Sequence, residues 1–307
     1  MTKSKENNRI EKKASRTAFN ATFYRFLMTK DKRIEVGGTD NLAYLFMPSI
    51  ARFFLGFSFF RNLITKNLHK RFPGTYEYVI ARTRFFDEIF VRTAKEKTPQ
   101  IVILGAGYDT RAIRFQNFTK DTVIYELDAP LTLNEKKKYF ERNKIQLPEN
   151  IVYVPINFNN DDLKQTLLKN GYDPKKKTMF VWEGVTMYLN PQAVKETLSF
   201  IKNNSGIGST IVFDYFYDSV IKRTCDSIGA KELSDAAMEL GEQFNFGVEE
   251  GKIIEFLNEN GFLLIKHYTP NEFEEKYLRT DDGNIIGSMY GFAGNVIAKL
   301  KDDLEVK

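Results

Sequence analysis

The sequence predicts an α/β protein: a mostly parallel seven-stranded sheet with helices on both faces and an N-terminal helical cap. Three observations predict it. From Ile101 onward, short apolar runs suited to buried strands alternate with helical stretches, the rhythm of a parallel sheet covered on both sides. Before Ile101 the pattern is helical, with no convincing alternating run. At the junction, Ile101-Val102-Ile103-Leu104 runs directly into the turn Gly105-Ala106-Gly107.

Taken in order, residues 1–14 are a basic tail, charged, polar and aperiodic, and are expected to be disordered. Ser15 can cap a helix carrying Phe19, Phe23, Phe26 and Leu27 on one face. A second helix is expected over Phe53–Leu68, stopped near Phe72-Pro73-Gly74, and a third over Tyr76–Lys97, so that residues 15–98 form the cap and lead-in helices. Residues 99–307 form the main domain. Its strands are expected at 101–105, 122–127, 151–155, 178–183, 209–214, 262–268 and 292–300, the last two able to close as an antiparallel pair. Helices fall at 131–143, 161–170, 191–203, irregularly over 218–244, and at 248–260, where Gly261 suits the C′ position. Gly291 and Gly294 mark a bulge or a close approach where the last strand enters the sheet.

Composition excludes several functions. The 42% hydrophobic and 28% charged residues are those of a globular protein, and 27 Phe with 15 Tyr promise a large core and an apolar pocket. The net charge of +5 is concentrated at the start: residues 1–20 hold six Lys/Arg against two Glu. The rest is nearly neutral, which argues against a nucleic-acid partner. A single cysteine, Cys225, and two histidines, His69 and His267, leave no disulfide framework and no metal site. The most apolar stretch, Ser49–Ile64, is cut by Arg52 and Arg61, leaving eight uncharged residues between them, too few to span a bilayer. With no secretory signal at the start, a cytoplasmic protein without a membrane partner is expected.

The turn at Gly105 and Gly107 lets backbone approach a ligand closely, and Asp128, at the end of the next strand, can accept hydrogen bonds from ribose hydroxyls. That pairing reads as a nucleoside cofactor. A dinucleotide site would place a third glycine where Thr110 stands, and Asp109 beside it would repel a pyrophosphate. No Gly-Lys-Ser/Thr follows the turn. S-adenosyl-L-methionine fits better, having no phosphate and a positive sulfonium.

Beyond the turn, ordered blocks run along the chain: Ser15-Arg16-Thr17-Ala18, Asp40-Asn41-Leu42-Ala43, Ala81-Arg82-Thr83-Arg84-Phe85-Phe86-Asp87, Leu104 to Arg111, Tyr125-Glu126-Leu127-Asp128-Ala129-Pro130, and Trp182 to Leu189. In these the chain resembles the leucine carboxyl methyltransferase and polyketide O-methyltransferase family, class I enzymes with a Rossmann-like fold that use S-adenosyl-L-methionine. The resemblance implies that residues 99–307 are the methyltransferase domain and that Arg82 clamps the cofactor's methionine carboxylate. It also implies that Gly105 and Gly107 lie under the amino-acid and ribose parts, and that Asp128 rather than Glu126 takes the ribose. The family's Asp-Leu after the third strand is here Asn157-Phe158, which keeps an acceptor for the adenine amino group but loses the charge. Glu183, ending the fourth strand, would face the methionine end.

No catalytic residue is assigned; Glu183, Tyr188 and Tyr215 are the candidates, with Asp214 near the same edge. Asp109 is expected to hold the turn or meet Arg111 or Arg114, and His267 to be structural. The N-terminal helices, with the Phe53–Phe60 cluster, are expected to roof the acceptor pocket. The expected reaction moves a methyl group to a carboxylate or hydroxyl of a small molecule, the scarcity of histidine leaning toward an acceptor already ionised. The alternatives are a protein C-terminal carboxyl methyltransferase, an NAD(P)-dependent oxidoreductase, and a non-catalytic cofactor-binding module.

Overall fold

The computed structural model describes residues 15–34, 40–158, 160–280 and 282–301. The basic tail at 1–14 lies outside the described residues. Seven strands form one sheet: β1 (Gln100–Leu104), β2 (Val123–Asp128), β3 (Ile151–Pro155), β4 (Thr178–Trp182), β5 (Thr210–Phe216), β6 (Phe262–Tyr268) and β7 (Ala293–Leu300). Their order is β3-β2-β1-β4-β5-β7-β6. The first five are parallel, with Ile101 opposite Ile124 and Val102 opposite Phe180; β7 runs antiparallel to both β5 and β6. Every residue of β1 and β4 is buried, which explains why Ile101–Leu104 and Met179–Trp182 read as unbroken apolar runs.

The strand order reverses between β1 and β4, because the chain moves outward through β2 and β3 and then returns to the other side. A crevice opens at such a switch point, beyond the carboxyl ends of the strands. Leu104-Gly105 and Trp182-Glu183 flank it.

The observed helices follow the sequence signals, with two main differences. The first helix, α1 (Arg16–Met28), is capped by Ser15, whose hydroxyl accepts from the Ala18 N–H. The expected helix at 53–68 is instead two, α2 (Ser49–Gly56) and α3 (Ser58–Arg71), because Phe57 is extended (φ −85°, ψ 130°) just after the helix-weakening Gly56. The lead-in helix α4 (Thr75–Lys95) runs into β1, followed by the single-turn α5 (Arg111–Arg114). Next come α6 (Pro130–Arg142), α7 (Leu163–Lys169) and α8 (Pro191–Asn203), the last two capped by Asp162 and Asn190. The irregular stretch resolves into α9 (Asp218–Ile221) and α10 (Ala230–Glu239); α11 (Ile253–Glu259) ends before Gly261, which has φ +86°. The second difference is α12 (Pro270–Tyr277), unexpected although Thr269 and Glu272 form a complete capping box with Pro270 in the first turn. At the final strand, where a bulge or a close approach was expected, Gly294 serves close approach: a Cβ there would sit 2.4 Å from the Tyr215 ring, while the register irregularity falls on β6 at Leu264–Lys266.

Candidate active site

The site begins at the glycine turn. Gly105 and Gly107 have φ of +71° and +45°, a region that side chains disfavour. A Cβ on Gly105 would come within 2.5 Å of Val185, and one on Gly107 within 3.0 Å of Ala18 on α1. The turn is tied to β2 by Asp128: the Gly107 N–H donates to Oδ2 at 2.6 Å, and the Ala129 N–H to Oδ1 at 2.7 Å. Burial outweighs these bonds and pushes the Asp128 carboxyl above the usual aspartate range. Its rival, Glu126, is committed elsewhere, buried at 2.6 Å from Lys136.

Beneath the turn, buried arginines and carboxylates form a continuous floor. The Arg111 guanidinium reaches Asp109 at 2.6 Å, Glu183 at 2.7 Å and Asp87 at 2.7 Å. Arg82, on α4, binds the other oxygen of Glu183 at 3.0 Å and Asp214 at 3.1 Å. Arg114 bridges Asp87 at 2.7 Å and Asp40 at 3.4 Å, and Arg25 reaches Asp40 at 3.2 Å. Asp214 is completely buried, accepting from the Tyr78 hydroxyl at 3.0 Å and the Gly184 N–H at 2.6 Å. Burial pushes the Asp109 carboxyl up, but Arg111 and Lys136 more than offset this and bring it down to about 2. Of the partners expected for Asp109, the structure thus shows Arg111, whose backbone N–H also donates to Asp109 Oδ1 at 2.7 Å.

Above this floor lies a cavity of about 650 Å³. All seven expected cofactor residues line it: Arg82, Gly105, Gly107, Asp128, Asn157, Phe158 and Glu183. Of the catalytic candidates, Glu183 and Tyr188 also line it. Tyr215 does not; its ring packs with Phe213, Tyr217 and His267, and its hydroxyl lies 3.3 Å from the His267 ring. The reason is strand alternation: Tyr215 and Asp214 face opposite sides of β5, and Asp214 takes the floor side. Asp214 supports the site from below without lining the cavity. His267 is placed structurally by the same contacts.

The expected roof is corrected in part. Thr17, Ala18, Phe23 and Tyr24 of α1 line the cavity, as do Leu68 and Arg71 at the end of α3 and the following Phe72. The Phe53–Phe60 cluster does not line it, because the break at Phe57 turns α2 and the start of α3 outward. Other lining residues went unread in the sequence. Tyr290 stacks on Phe292 with centroids 4.2 Å apart and lies 4.5 Å from Tyr78, and Leu233 and Ala237 come from α10. Tyr290 stands 185 residues from Gly105, and no local pattern announces that they meet at one cavity.

The residues suit a nucleoside without phosphates. Carboxylates at Asp109 and Asp128 flank the glycine turn, where a pyrophosphate would be repelled and ribose hydroxyls welcomed. Strand order, switch-point cavity and acidic glycine turn together define the class, a protein with the class I methyltransferase fold. A solved structure of a candidate methyltransferase from Thermobifida fusca agrees, with a TM-score of 0.54 over 83% of this chain and 96% of that one at 15% identity. More particularly, the leucine carboxyl methyltransferase family model matches residues 18–202, more than half of the sequence, and the chain belongs to that family. Relatives include a candidate S-adenosyl-L-methionine-dependent methyltransferase from Mycobacterium tuberculosis, 39% identical over 117 residues, 38% of this chain and 37% of that protein. A protein of the same description from Mycobacterium avium is 28% identical over 221 residues, 68% of this chain and 72% of that protein. The match thus spans little more than a third of the length of the first relative.

Proposed function

We propose that the protein is an S-adenosyl-L-methionine-dependent O-methyltransferase acting on the carboxylate of a small molecule. The observation that carries this reading is the lining of the cavity, in which no histidine, lysine or cysteine appears among the described residues. Its inner carboxylates are engaged: Glu183 by Arg82 and Arg111, Asp109 by Arg111, Asp128 by two backbone N–H groups. Tyr188 is a phenol whose burial raises its pKa, so at neutral pH it is a hydroxyl donor and no base. A lining without histidine, lysine or cysteine suits a nucleophile already ionised, which needs no base to take its proton.

In this reading Asp128 accepts the ribose hydroxyls and Asn157 with Phe158 meets the adenine. Arg82 and Glu183 face the amino-acid end. When bound, the cofactor supplies an electrophilic methyl group on a sulfonium. The protein contributes alignment, exclusion of water and a fixed electrostatic floor.

The test is transfer of radiolabelled methyl from S-adenosyl-L-methionine to panels of carboxylic acids, phenols, alcohols and peptides with free C-termini. Alkali-labile ester label on small acids is the expected outcome. Label confined to hydroxyl acceptors contradicts the carboxylate reading, and label confined to peptides moves the acceptor to a protein C-terminus.

A further inference from the structure

The hairpin of α2 and α3 carries its apolar side chains on the outside. Ile50, Phe53, Phe54, Phe57, Phe59, Phe60 and Leu63 are all exposed, Phe59 to 70%. Only Leu55 of α2 is buried, and no residue of α3 is. The phenyl rings pack edge-on against one another instead of on the core, Phe53 with Phe54 and Phe57, and Phe54 with Phe60, at centroid separations of 5.2–5.5 Å. Burying a side chain of this kind gains about 1.5–3 kcal/mol, so a contiguous set left in water marks a surface that meets something else.

Charge selects the occupant. Between Asp40 and Glu77 the sequence has no Asp or Glu but five Lys/Arg, Arg52, Arg61, Lys66, Lys70 and Arg71, of which only Arg71 turns to the cavity, where it meets Glu239 at 3.6 Å. A second copy meeting this face across a two-fold axis would set the same cationic surface against itself. An acidic lipid surface complements both features, since rings partition into the headgroup boundary while Lys and Arg stay with the headgroups. We propose that the α2–α3 hairpin docks the protein on an anionic bilayer, lying in the interface plane.

The two helices, of 8 and 14 residues, are too short to span a bilayer, and no helix among the described residues is long and apolar enough to cross one. The eight uncharged residues between Arg52 and Arg61 are too few for a span, but lying in the interface needs no such length. The end of α3 turns back to the cavity at Leu68, Arg71 and Phe72, so the docking face adjoins the pocket. Docking itself is independent of the reaction chemistry.

The experiment is co-sedimentation of the full chain with vesicles of phosphatidylcholine alone and of an equal mixture with phosphatidylglycerol. It is repeated on the double variant Phe57→Glu/Phe59→Glu, whose folding is checked by circular dichroism and thermal midpoint. Sedimentation velocity is run on the same samples without lipid. Binding to the mixed vesicles, at least tenfold weaker to phosphatidylcholine alone, weakened at least tenfold in a folded variant and reduced by salt, is the expected result. No binding, equal binding to both vesicles, or unchanged binding by the variant overturns the proposal. So does a wild-type oligomer that ignores vesicles and dissociates in the variant, which would assign the face to a second copy.

Discussion

At the carboxyl ends of β1 and β4, the Arg111 side chain is 1% exposed and meets three carboxylates within 2.7 Å. On α3, Phe59 is 70% exposed and its ring meets that of Phe60. The floor keeps its charges out of water, where each must be matched by close, directed partners. The hairpin leaves apolar surface in water, where folding gains nothing from it. Residues of the floor should therefore report in stability and ligand affinity, and residues of the hairpin in association alone.

The largest expected effect breaks the floor. Arg111→Ala leaves Asp87, Asp109 and Glu183 without their shared cation and should cost about 3–5 kcal/mol, as for other broken buried pairs, measured by urea denaturation. A loss below about 1 kcal/mol would mean that water replaces the guanidinium, and that the floor is less dry than its burial indicates. Next comes Asp128→Ala, expected to weaken binding of S-adenosylhomocysteine by about 1–3 kcal/mol in calorimetry, because the Gly107 and Ala129 N–H groups lose their acceptor and, in the proposed reading, so does the ribose.

Acid should separate two carboxylates within the site. Asp128 has a raised folded-state pKa, so it takes up its proton above the usual aspartate range, and cofactor affinity should begin to fall there. Asp109, lowered to about 2, contributes stability that is fully present above its unfolded value and is lost only as pH falls toward 2. Affinity measured against pH should therefore decline before the thermal midpoint does so on account of Asp109. Coincident declines would count against this division. The smallest effect belongs to the hairpin: Phe59→Glu should change stability by no more than about 0.5 kcal/mol, as exposed substitutions do. A larger loss would show that the aromatic cluster supports the fold.

What the sequence disclosed differs between these regions for the same physical reason. Strands β1–β5, the glycine turn and Asp128 were legible because local period and spacing determine them, and all seven residues expected to hold the cofactor line one cavity. Tyr215 was misplaced because adjacency to Asp214 along the chain says nothing about which sheet face each takes until the strand's register is known. The outward hairpin was misread as a roof because an apolar helix reads alike whether it faces a pocket or solvent; only the break at Phe57 decides. The partnering of Arg82 with Asp214, or of Arg111 with Asp87, depends on contacts between distant segments that no local pattern encodes.

The central claim is that the cavity above the glycine turn binds an adenosyl sulfur nucleoside through Asp128. Calorimetric titration of the wild type and Asp128→Ala with S-adenosylmethionine, S-adenosylhomocysteine and NAD tests it most directly. The account predicts binding of both sulfur nucleosides, weakened in the variant, and none of NAD. Failure of both sulfur nucleosides to bind the folded wild type, or equal affinity in the variant, would contradict it.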